Sequence, residues 1–482
     1  MKKLLAIVAA AFAFNAMAAV EKVVVVESAD IDGLVKVASK AGELVGYPML
    51  GALASGALAA NPYSMAFGPM RADSSAYVVV YVDTAEKDLD KLEPEIAVVW
   101  PVARGKAAFV ASNPGCKEVD GAIAVADIDD DDDDDEDASK PSEPDYTYTA
   151  FSADGKWATT ASTSELAKKA LEVAGTSMRT SGEFVHVAVT PAGMTFFKDL
   201  LSAKPDLVGG GDSASGFLEL SKMLSGFDGG LALTDDGLTV TCNYIPAPGT
   251  AWDSSFRKPF ESCPLCKLNP GAFAALAMES GICGSEGVEY YEKLIKAVNE
   301  AGVKTDFLKI VNDGGRAEWT FDCAAFFKFT KDGGPKAVDE KLLSEKMQKV
   351  QNEAVANIGK LSEKPQSWTL GLAGKTAPVP PVELFKSILP DVAEKRPCTV
   401  AVVAPAAFML AIAPDFVAQL TEEQQSKVKP LLAMLPYEAK GGIASAAWRD
   451  GGKIASVCRV SAAEIKTIAA IVNAFIAAQM VM

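Results

Sequence analysis

A nine-residue pattern occurs twice in this chain, and it constrains the fold more than any other feature. Phe184-Val185-His186-Val187-Ala188-Val189-Thr190-Pro191-Ala192 is an apolar, β-branched run that reaches a proline; Cys398-Thr399-Val400-Ala401-Val402-Val403-Ala404-Pro405-Ala406 repeats it. Such runs favour strand. Proline, with its preset φ and no N–H to satisfy, suits the first turn of a helix, so each copy predicts a strand that passes directly into a helix. Both copies continue through helical sequence to Met-Leu (Met223-Leu224, Met434-Leu435) and Gly-Gly (Gly229-Gly230, Gly441-Gly442), then a hairpin turning at Asp235-Asp236-Gly237 or Asp450-Gly451-Gly452. The return strands carry Cys242 and Cys458 at matching places. Two similar tandem halves follow. Their expected spans are 19–250 and 260–482, parted between Pro246 and Phe260, where Pro-Ala-Pro-Gly-Thr interrupts the strand pattern.

Asp-Gly recurs at Asp154-Gly155, Asp313-Gly314 and Asp332-Gly333, several times between strand-like runs. This dipeptide adopts the positive φ angles of tight hairpins, so the sheet should be antiparallel. Capping boxes at Ser162-x-x-Glu165 and Ser461-x-x-Glu464 open two helices, the second over Ile465 to Ala478. Apolar residues from Val338 to Leu361 recur at helical spacing behind Pro335, and Tyr291, Leu294, Ile295 and Val298 mark another helix stopped by Gly302. Helices and hairpins alternate without a strict strand-helix-strand rhythm, which points to an α+β fold.

Lys2 and Lys3, the apolar stretch Leu4 to Phe14 and Ala16-Met17-Ala18 have the three parts of a bacterial Sec-type signal peptide, 1–18. No cysteine stands at the cleavage site to take a lipid anchor. The expected product is a periplasmic or secreted protein with no membrane insertion after cleavage. In an oxidising compartment eight cysteines (Cys116, Cys242, Cys263, Cys266, Cys283, Cys323, Cys398, Cys458) lead one to expect one to three disulfides.

The net charge of −17 repels nucleic acid and anionic lipid. A single histidine removes His-rich zinc sites, most Ser-His-Asp triads and most imidazole relays. That residue, His186, alternates with apolar neighbours in its strand and reads as packed. Gly371-Leu372-Ala373-Gly374-Lys375-Thr376 lacks the first glycine of a phosphate loop, because Thr369 stands there, and Pro378, Pro380 and Pro381 follow the lysine. Gly211-Asp212-Ser213 echoes an esterase motif but has no base near it in sequence.

Two features remain as candidate sites. Cys263-Pro264-Leu265-Cys266 has the spacing of a thiol-disulfide centre, although Lys267-Leu268-Asn269-Pro270 does not read as the helix such a centre needs. The acidic loop 127–144 holds nine consecutive carboxylates, Asp129, Asp130, Asp131, Asp132, Asp133, Asp134, Asp135, Glu136 and Asp137. Lacking the spaced ligands and glycine turn of a calcium loop, these read as a solvated connector with weak cation binding. The sequence therefore leads one to expect a non-enzymatic exported binding or structural protein with no cofactor and no resident metal. Its partner would be an unidentified protein or small molecule. Thiol-disulfide exchange through Cys263 and Cys266 is the alternative.

Overall fold

The computed structural model describes residues 20–71, 74–84, 86, 94–126, 146–204, 218–219, 221–279, 287–302, 305–313, 315–333, 339–357, 365–433 and 441–481. The segment 1–18 that reads as a signal peptide, the acidic run Asp129 to Asp137, Cys283, Met434-Leu435 and Gly211-Asp212-Ser213 lie outside them. The chain forms two compact units, 1–42 with 48–196, and 43–47 with 197–482. Among the described residues there are 14 helices and 17 strands, and all but one of the strand pairings are antiparallel, giving an α+β protein.

The first unit contains β1 (Val20–Ser28), β2 (Tyr77–Asp83), β3 (Glu95–Pro101), β4 (Lys117–Val119), β5 (Ala122–Ala126), β6 (Tyr146–Phe151), β7 (Trp157–Ala161) and β8 (Glu183–Val189). They hydrogen-bond in the order β8-β1-β2-β3-β7-β6-β5-β4. The valine run of β1 alternates buried and half-buried positions, as a period of two requires. Val25, Tyr77, Val79, Tyr81 and Val99 form the core with Leu166 and Ala170 of the helix Ser164–Ala170. That helix is capped one residue later than the Ser162 box predicts: the Thr163 hydroxyl accepts from Leu166 N at 3.2 Å, while the Ser162 hydroxyl donates to Glu95.

The second unit contains β9 (Leu224–Thr234), β10 (Gly237–Pro246), β11 (Ala274–Met278), β12 (Leu308–Asp313), β13 (Arg316–Phe321), β14 (Gln366–Leu372), β15 (Thr399–Val403), β16 (Ile443–Asp450) and β17 (Lys453–Ser461). Their order is β9-β10-β17-β16-β15-β11-β14-β13-β12. The exception to antiparallel pairing is β13 with β14, reached through the helices Cys323–Lys331 and Glu340–Asn357. Such a crossover is what parallel strands need. Phe273, Val400 and Val402 pack beneath Leu384, Phe385 and Ile388 of the helix Pro381–Ile388.

Both proline junctions are anchored alike. Thr190, before Pro191, donates to Val23 O at 3.1 Å; Ala404, before Pro405, donates to Phe273 O at 2.8 Å. At the other end of each strand pair Ala29 donates to Phe184 O (2.7 Å) and Glu279 to Cys398 O (2.9 Å). Cys242 and Cys458 lie on the adjacent strands β10 and β17, opposite Ser456 and Val240 respectively.

The last helix runs Ala462–Val481. The Ser461 hydroxyl accepts from Glu464 N at 3.2 Å, but the Glu464 carboxylate does not return to Ser461; it accepts from Ala406 N at 2.7 Å, at the start of the helix Pro405–Val417. Among the described residues no helix is long and apolar enough to cross a membrane.

Candidate functional site

The expectation of disulfides is not met: all seven described cysteines are free thiols. The surroundings explain several of them. Cys398 is buried and its thiol donates to Phe256 O at 3.2 Å, Cys323 is buried in the first turn of its helix, and Cys242 and Cys458 face Ser456 and Val240 instead of each other.

Cys263 and Cys266 occupy one turn. Cys263 stands at the N-cap of a 3-10 turn over Pro264–Lys267, whose i to i+3 repeat stacks the two residues, and Cys266 N donates to Cys263 O at 3.3 Å. Cys266 is exposed and Cys263 half-buried. Burial pushes the Cys263 thiol up; the Leu265 N–H and the Lys386 charge pull the other way, and the Cys266 thiol adds to the rise. Four residues of 3-10 turn supply little dipole, so the sequence motif arrives without the thiolate stabilisation that makes such pairs reactive.

The same segment forms one wall of a cavity of about 840 Å³. The ends of five strands border it: Ala277 to Glu279 at the end of β11, Asp313, Gly315 and Arg316 at the β12–β13 turn, Pro365 to Ser367 at the start of β14, and Arg396 just before β15. The wall is strapped across by Phe260 N donating to Pro397 O at 2.9 Å. Five cations line it, Arg257, Lys258, Lys267, Arg316 and Arg396, against three carboxylates, Glu261, Glu279 and Asp313. Arg257 is used by Asp253 O (2.8 Å) and Arg316 by Glu318 (2.7 Å).

The backbone here is strained. Phe256 (φ 57°) and Arg396 (φ 51°) are two of three non-glycine residues with positive φ among the described residues, the third, Asp120, lying in the β4–β5 turn. Arg396 also precedes Pro397, and the proline ring favours an extended conformation at the residue before it. Such geometry costs of order 1–3 kcal/mol and persists only where the surroundings impose it.

The other sequence candidates are bound into the fold. His186, buried, meets Glu183 Oε2 through Nδ1 at 2.9 Å. Lys375, the lysine of the phosphate-loop look-alike, pairs with Asp415 and donates to Ala411 O at 2.6 Å. Among the described residues no cluster of His, Cys, Asp and Glu could hold a metal. The cavity itself was not legible, because its cations come from three separate stretches, 257–267, Arg316 and Arg396, and share no motif. The chain matches no protein-family model, no curated protein and no solved structure.

Proposed function

We propose that this is an exported, non-enzymatic binding or structural protein of the extracytoplasmic space, built from two similar tandem α+β halves. The cavity beside Cys263 is the observation that carries the binding reading, since concave sites of 300–1,000 Å³ with a few convergent polar groups are where small ligands are taken. The matched anchoring of the two proline junctions supports the duplication. The test is to recover the protein from its own cell by fractionation and to screen it against generic ester, glycoside, peptide and phosphoester substrates. The expected product begins at Ala19, lies outside the cytoplasm and turns over none of them; turnover above the blank refutes the non-enzymatic reading.

Thiol-disulfide exchange is the second reading. The observation that favours it is the exposed Cys266 stacked one 3-10 turn from Cys263. It predicts that Cys263→Ser traps mixed disulfides through Cys266 or abolishes exchange.

A further inference from the structure

We infer that the cavity at the ends of β11, β13 and β14 takes a small organic polyanion, a molecule carrying two or more carboxylate or phosphate groups on a short apolar body. This rests on the binding reading above and names its ligand class.

The chain as a whole is strongly acidic, yet the cavity gathers five cations against three carboxylates, and although Arg316 is already paired with Glu318, the lining remains positive. The side chains of three of the five, Lys258, Lys267 and Arg396, make no hydrogen bond or ion pair with described residues. Their donors remain available for charge-assisted bonds, which are about twice as strong as neutral ones. Arg396 offers a planar fork matched to a carboxylate or phosphate edge.

Shape and conformation agree. Phe260, Leu268 and Met278 give the lining an apolar part for a short hydrocarbon body, while Ser262, Gln366 and Ser367 bring polar groups for orientation. Arg396 is held at φ 51° directly before Pro397, and the Phe260 to Pro397 bond fixes that segment against the opposite wall. Glycine would adopt this conformation with no steric cost. The chain instead keeps a large cation there, at the edge of the cavity.

Isothermal titration of the mature chain with citrate, with inorganic phosphate and with glycerol as a neutral control tests the inference. Citrate is expected to bind at one site per chain with an affinity that falls as salt rises; inorganic phosphate binding at the same site marks the phosphate arm, and glycerol gives no heat. Arg396→Gly should weaken binding about tenfold or more, a loss typical of one charge-assisted contact, while leaving the melting temperature equal or higher because strain is relieved. Lys258→Met and Lys267→Met, both at exposed positions, should each weaken binding without lowering the melting temperature.

No heat from either anion at millimolar concentration overturns the ligand class, as does binding that survives all three substitutions. Where Arg396→Gly melts lower, Lys258→Met and Lys267→Met decide: citrate binding unchanged in both overturns the inference, and weaker binding in either supports it. An exported, catalytically inert protein that binds neither anion separates failure of the ligand class from failure of the binding reading, which substrate turnover would sink independently.

Discussion

Glu27→Gln should destabilise the first unit by about 3 kcal/mol, because the Glu27 carboxylate has no exposed surface and is paired. Glu27 sits on β1 between Tyr77 of β2 and His186 of β8. Its Oε2 accepts from Met178 N at 2.6 Å and Arg179 N at 3.0 Å; its Oε1 accepts from the Ser75 hydroxyl at 2.9 Å and from Arg179 Nε at 3.3 Å. Burial, with the Glu27 charge adding to it, pushes the Tyr77 phenol up to about 12. Glutamine preserves the shape but supplies one acceptor oxygen where two were used, and it turns an amide N–H₂ toward N–H donors. Removing one partner of a buried ion pair costs about 3–5 kcal/mol. Arg179 keeps its bonds to the Ser75 hydroxyl (3.1 Å) and Glu183 O, and its side chain is 19% exposed, so the lower end applies. For a unit of this size that loss corresponds to a fall in Tm of about 6–12 °C. Urea and thermal melts of Glu27→Gln, Arg179→Met and the double variant measure it, with a coupling of at least about 1 kcal/mol expected between the pair. A Glu27→Gln protein within about 0.5 kcal/mol of the parent, in the range of ordinary surface changes, refutes the argument.

Four further outcomes are expected. Burial raises the Glu464 carboxyl, whose Oε2 has no partner, so the folded state prefers it protonated. Its contribution is whole below the unfolded value of about 4.3 and is lost as pH rises through the folded one. Glu464→Gln should therefore match the parent in urea melts near pH 4 and exceed it at pH 8. Gly237→Ala would place a Cβ 2.0 Å from Val460 O at φ 130°, and should cost about 3 kcal/mol from overpacking and backbone strain, read by the urea midpoint. Gly193→Ala, with a Cβ 2.2 Å from Val23 O, should loosen the helix Pro191–Ala203 from β1 and show as faster amide exchange in β1. In a thiol titration of the folded protein Cys266 should react first, and buried Cys323 and Cys398 only on unfolding.

The sequence was most legible where one residue restricts its own backbone. Pro191 and Pro405 open helices Pro191–Ala203 and Pro405–Val417, and Gly302, φ 92°, follows the helix Gly287–Glu300. Capping was less legible, because adjacent hydroxyls compete: Thr163 takes the cap and Ser162 goes to Glu95. Glu464 is drawn from its local box to Ala406, 58 residues away. Non-local pairing left no local mark. Nothing in Arg316–Phe321 announces a parallel partner, and the cations of the cavity converge only once β11, β13, β14 and the approach to β15 are assembled. The C-x-x-C spacing was plain from the start, whereas the burial that raises the Cys263 thiol depends on the packed fold around Pro264–Lys267.

The measurement that bears most directly on binding against redox chemistry is a glutathione titration of the protein isolated from its own cell, with Cys263 and Cys266 followed by mass spectrometry. Exchange no faster than that of an unactivated thiol is expected, because burial keeps Cys263 protonated. Rapid cycling of a Cys263–Cys266 bridge at potentials above about −230 mV, the range of exchange catalysts, would contradict it and make the pair the working centre of the molecule.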